Sequence, residues 1–186
     1  MTELTNTPWN EFPADAAPND LVSKNFQLYE LTKSETASRQ VIPNNFASAD
    51  ELRCAVYLCR NVMQPVREKF GRYTPNSVYR SQTLERALKN KPADWVSTSQ
   101  HTKGQACDIE VLSASNMKLA MWVRDNMEFD QLILENYSAD EGPNSGWVHV
   151  SLLPPGYGEN RKEILSYVKN LQTGQFVYVP DLVETP

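Results

Sequence analysis

The chain has 186 residues, with 23 acidic against 18 basic side chains and a formal net charge of −5. That length suits about one domain by the usual ~100–200 residues. With no lysine or arginine run, the charge balance speaks against a nucleic-acid partner. No stretch approaches the ~20 apolar residues of a membrane span.

Residues 1–20 carry Pro8, Pro13 and Pro18 among polar neighbours. This composition predicts an extended arm outside the core, with the folded domain over 21–186. The polar start, Met1-Thr2-Glu3-Leu4, lacks the basic cap and apolar run of a signal peptide. A soluble monomer made in the cytoplasm is therefore expected, and an extracellular substrate would need another agent to deliver the protein.

Residues 26–31 alternate apolar and polar, and Ser34-Glu35-Thr36-Ala37 opens a short helix that Pro43-Asn44-Asn45 breaks. Ser48 or Asp50 caps a long helix to about Phe70. Its apolar stripe is Leu52, Val56, Cys59, Met63, Val66 and Phe70, with a kink expected at Pro65 and a stop at Gly71. Residues 77–80 read as extended, 83–90 as a helix and 106–112 as a strand. Ser113 or Ser115 caps a helix through about 126, with Leu119, Met121 and Trp122 as its apolar material. Strands follow at 129–135 and 147–152, then a hairpin of 164–168 with 175–179 around Thr173-Gly174. Helices first and antiparallel strands later predict an α+β fold.

The cysteines, Cys54, Cys59 and Cys107, form no framework and suit a reducing compartment. Cys54 and Cys59 point in different directions on one helix and read as core residues. Cys107 faces away from its neighbour Asp108 on a strand.

Only two histidines occur, His101 and His149. Both lie in segments that read as metal sites, and Asp108 follows the first. Two imidazoles and a carboxylate fill three corners of a tetrahedron and leave the fourth for water, as a catalytic zinc requires. Manganese or iron also accept such a donor set.

Alternation puts Leu132 and Leu134 on one strand face and Val148, Val150 and Leu152 on the next strand's matching face. Glu135 and His149 then share the opposite side, and a register pairing them would bring their Cβ atoms to ~4.5–5.5 Å. Asp108 and Glu110 share a face of the strand at 106.

Ser99-x-His101-x-x-Gly104-x-Ala106-x-Asp108, followed by Trp147-Val148-His149-Val150-Ser151, resembles the M15 family of zinc D-Ala-D-Ala carboxypeptidases and related phage endolysins. Tyr79-Arg80-Ser81 and Phe129-Asp130-Gln131-Leu132-Ile133-x-Glu135 are similar to further elements of its members. The resemblance implies a small single domain of hedgehog/DD-peptidase type, with a central antiparallel sheet and helices mainly on one side. It also implies one zinc ion on His101, Asp108 and His149, and cleavage of D-amino-acid peptide bonds in peptidoglycan stems.

Arg80 would hold an oxyanion or a substrate carboxylate, Ser99 would position substrate or orient a ligand, and Trp147 would wall the site. Several members place the catalytic glutamate three residues before the last histidine ligand. Gly146 stands there in this chain. Glu135 is the nominee for general base, with an outer-shell partner as its rival role and Asp140 and Glu141 as substitutes.

The leading expectation is a D,D-carboxypeptidase or endolysin-type endopeptidase that acts on the cell wall after release or from a virion. One alternative is a non-catalytic zinc-stabilised binding or virion structural protein, which Gly146 favours. Another is a peptidase for some other small peptide.

Overall fold

The structure, a computed structural model, describes residues 4–170 and 172–184. The first three residues of the expected arm lie outside the described residues. Two short strands, β1 (Leu21–Ser23) and β2 (Phe26–Gln27), pair antiparallel ahead of helix α1 (Glu35–Gln40).

Ser48 caps α2 (Ala49–Leu58) by accepting the Glu51 amide. A π-helical turn over Cys59–Met63 then joins α2 to α3 (Gln64–Phe70), and the Gln64 amide reaches the Cys59 carbonyl. Proline cannot donate to the helical ladder and its ring crowds the preceding turn. The widened turn just ahead of Pro65 accommodates both effects, and it stands where a kink is expected. Gly71 ends α3 at a positive φ of 84°.

Helix α4 (Gln82–Leu88) and the 3-10 turn Gln100–Lys103 precede the main sheet. Its strands are β3 (Ala106–Ile109), β4 (Gln131–Glu135), β5 (Trp147–Ser151), β6 (Glu163–Lys169) and β7 (Phe176–Pro180), in the order β3-β5-β4-β6-β7. Every pairing is antiparallel except β4 with β6, so the sheet is mixed. The expected terminal hairpin is β6–β7.

Helix α5 (Asn116–Asn126) is capped by Ser115. It buries Leu119, Ala120 and Val123, whereas Met121 is exposed and Trp122 packs only partly. The expected strand 106–112 ends early, and Leu112 is exposed.

Cys107, Ile109, Leu132, Leu134, Val148 and Val150 are fully buried on one sheet face, beneath α2 and α5. The opposite face carries Asp108, Glu135, Trp147 and His149, as the alternation of strands demands. The fold is α+β with one functional sheet face.

Residues 4–20 depart from the expected arm. Phe12 is 0 % exposed and belongs to the core. Arg60 donates to the carbonyls of Val22, Leu4 and Thr7, Arg53 donates to that of Phe12, and Trp9 meets Tyr57 edge-on at 5.2 Å. Prolines suit such a segment because its backbone is held by side chains and not by a ladder. Phe12→Ala should cost about 3–5 kcal/mol in urea unfolding; a loss below 1 kcal/mol would show that this segment contributes little to the core.

Candidate metal centre

Asp108 lies on β3 between two partners. On one side it pairs with His149 of β5. On the other, its amide donates to the Ser77 carbonyl at 2.8 Å and its carbonyl accepts from the Asn76 amide at 2.8 Å. The extended segment 77–80 therefore borders the strand. It also anchors the histidine loop, since the Arg80 amide donates to the His101 carbonyl at 3.2 Å. Gly104 turns that loop onto α2 at a φ of +70°; a Cβ there would meet the Glu51 carbonyl at 2.2 Å.

The three side chains converge. His101 Nε2 lies 3.2 Å from His149 Nδ1 and 3.3 Å from Asp108 Oδ1, and His149 Nδ1 lies 2.9 Å from Asp108 Oδ1. A tetrahedral ion with ~2.0–2.1 Å bonds has an edge of about 3.3 Å, so these atoms fit three corners around one ion. His101 Nδ1 donates to the Val78 carbonyl at 2.7 Å, which leaves the Nε2 lone pair facing the other two donors. All three residues are buried.

Burial pushes the His101 imidazole below its ordinary value, against the pull of Asp108, and so favours the neutral form that a ligand needs. Burial alone would raise the Asp108 carboxyl, but His101 and His149 together outweigh it and hold the group well below the carboxylate range.

Arg80 has a partner at each nitrogen. Nε donates to Ser77 Oγ at 2.8 Å, Nη1 to Glu85 at 3.4 Å, and Nη2 to Asp108 Oδ2. Glu85 is fully buried and also pairs with Lys89 at 2.7 Å. The guanidinium thus steadies the Asp108 oxygen that does not face the histidines. In Tyr79-Arg80-Ser81 the neighbours are structural: Tyr79 donates to Glu51 at 2.8 Å, and Ser81 caps α4.

Glu135 stands two residues from its expected partner. The pairs are Glu135 with Trp147 and Ile133 with His149, so Glu135 is diagonal to His149. A two-residue shift preserves which face each side chain takes, and burial cannot discriminate between the two registers. The turn decides. Gly146 enters β5 at a φ of +65°, and a Cβ there would come 1.8 Å from the Glu135 carbonyl. No glutamate fits at 146. Glu135 lines the same cleft of about 530 Å³ as His101, Asp108 and His149, together with Ser99 and Trp147. Burial, then the nearby Asp108 charge, raises the Glu135 carboxyl above its ordinary value. Asp140 and Glu141 stay on the exposed loop outside this cleft.

Ser77, Glu85 and Asp130 are missing from the sequence-derived site. Asp130 is buried at the start of β4. It accepts from Arg161 Nε and Nη2 at 2.9 and 2.7 Å and from Gln100 at 2.9 Å, beside His101. Its position in Phe129-Asp130-Gln131 was the available signal, but its partners lie about 30 residues away on each side.

A family model described as Peptidase M15 matches residues 24–151. The chain belongs to the peptidase M15 family. The match contains every donor of the centre, with Arg80 and Glu135, and stops before β6 and β7. No curated protein and no solved structure matches the chain. M15 members are metallopeptidases, and the His101–Asp108–His149 set of this one is the place where such an ion fits.

Two measurements check the centre. Purified protein should bind one equivalent of zinc at pH 7.5, and Asp108→Ala should abolish that binding in a metal titration. Zinc at 100-fold above its Kd should add about 2.7 kcal/mol to unfolding. The Asp130 brace has a pH signature. Its hydrogen bonds from Arg161 hold it at about 2 against an ordinary 3.8, so its stabilisation is complete above about pH 4 and is lost as pH falls through 2. Asp130→Asn should cost about 2 kcal/mol at pH 6, with wild type and variant converging near pH 2 in denaturant unfolding.

Proposed function

We propose that this protein is a zinc peptidase that hydrolyses D-amino-acid-containing peptide bonds in the stems of bacterial peptidoglycan. The observation that carries the reading is the convergence in one open cleft of Asp108, His149 and Glu135 from one sheet face and His101 from the turn before β3. When bound there, zinc supplies a Lewis acid for the scissile carbonyl and a nucleophilic water near neutral pH. Glu135, raised by burial and by Asp108, accepts a proton at its carboxylate and returns it to the leaving nitrogen. Arg80 acts through Asp108, holding its second oxygen so that the first keeps its direction. Ser99 and Trp147 border the cleft and contact the substrate chain.

The non-catalytic alternative drew its support from Gly146. That glycine is required by the turn, and the base of this reading stands on the neighbouring strand.

Zinc-dependent release of fragments from peptidoglycan should vanish in Asp108→Ala. Glu135→Gln should retain zinc and lose about 10²-fold or more in kcat, since a positioned acid–base group contributes 10²–10⁴-fold. Stoichiometric zinc with no turnover on any muropeptide would refute the peptidase; near-normal turnover of Glu135→Gln would refute the base.

A further inference from the structure

The sheet face that carries Glu135 and His149 continues onto the terminal hairpin. Tyr167 of β6 pairs with Glu135, Tyr178 of β7 pairs with Tyr167, and Phe176 lies two residues further along β7. Alternation puts these three rings on the face of Glu135 and gives Val177 and Val179 the other. Tyr167 packs against Tyr178 at a centroid distance of 4.5 Å and against Phe176 at 5.3 Å. Those contacts hold the two β7 rings in place, yet Phe176 stays 44 % and Tyr178 57 % exposed. Tyr178 also lines the cleft that holds Glu135 and His149. The hairpin follows the residues matched by the family model, which end at 151.

Cross-strand aromatic pairs stabilise a hairpin on either face. Stability alone does not require half-exposed rings beside a cleft, and clustered exposed apolar surface marks a binding surface. Rings already held lose little freedom on binding, and their faces attract polarised C–H groups. A pyranose ring presents such C–H groups on its face and hydroxyls around its rim. Polar groups surround the rings here: Lys169 pairs with Phe176 on the same face, and Glu135 flanks Tyr167. An apolar protein surface would have to desolvate them without replacing their hydrogen bonds.

The distance agrees. In the order β5-β4-β6-β7, the β7 rings stand three strands from His149, roughly 14 Å at ~4.8 Å per strand. An extended peptide spans that with about four residues. The D-amino-acid bonds of a peptidoglycan stem lie about that far from the sugar that carries the stem.

We propose that Tyr167, Phe176 and Tyr178 form a sugar subsite, which stacks a pyranose ring of the glycan strand while the attached stem lies in the metal cleft. The position of the stem rests on the peptidase reading above. The hairpin then selects stems still joined to glycan over free peptides.

Two measurements on zinc-loaded protein test the subsite. The first titrates glycan strands stripped of their stems and follows binding by calorimetry. Saturable binding is expected, weakened about tenfold in Phe176→Ala and in Tyr178→Ala and largely kept in Tyr178→Phe, which retains the ring. The second compares kcat/KM for one stem peptide, free and joined to its disaccharide. The joined stem should be favoured about tenfold through KM, and the ratio should fall to near one in the double variant Phe176→Ala, Tyr178→Ala. No binding of stripped glycan, or binding that the alanine variants leave intact, would overturn the subsite, as would equal kcat/KM for the two stems in the wild type. Dimerisation abolished by the same variants, without glycan binding, would assign the rings to a second copy of this chain and overturn it as well. Turnover of neither stem would refute the peptidase, and glycan binding would then decide the subsite by itself.

Discussion

A carboxylate buried in the sheet is the constraint on which the rest of this structure turns. Asp108 cannot sit there uncompensated, since an isolated buried charge costs many kcal/mol. Two imidazoles approach one of its oxygens and the Arg80 guanidinium holds the other. Each compensating group comes from a different element: β5, the turn before β3, and the extended segment that borders β3. The charge requirement therefore ties three remote pieces of chain to one point and fixes the directions of the donors.

The segment 77–80 shows how economically this is done. Its backbone pairs with Asp108, its Val78 carbonyl takes the His101 Nδ1 proton, and its Arg80 side chain balances the carboxylate. Asp130 plays a parallel part from the far side, linking Gln100 beside His101 to Arg161 after β5. Neither group needs to touch a substrate to matter, because ligand orientation is set by such outer partners.

The donors were legible in the sequence because histidine is rare in this chain and both copies fall in a recognisable two-part pattern. The faces of β4 and β5 were legible too, since alternation needs only a period of two. The register was not. Pairing Glu135 with His149 or with Trp147 buries the same leucines and valines, and only the turn at Gly146 separates the two. The N-terminal segment was misjudged for a related reason. Proline and polar residues mark the lack of regular structure, but they say nothing about whether one phenylalanine reaches the core. Phe12 does, with Arg53 and Arg60 taking up the Phe12, Thr7 and Leu4 carbonyls, which lie outside any strand.

By itself the sequence determined the chemical character of the site and the class of the fold. Those depend on residue type and short-range periodicity, which are local. Tertiary structure alone decided that Arg80 pairs with Asp108 and Glu85 and that Gly146 excludes a glutamate. Each of those facts is a distance between residues far apart in the chain, set by packing that no local pattern encodes.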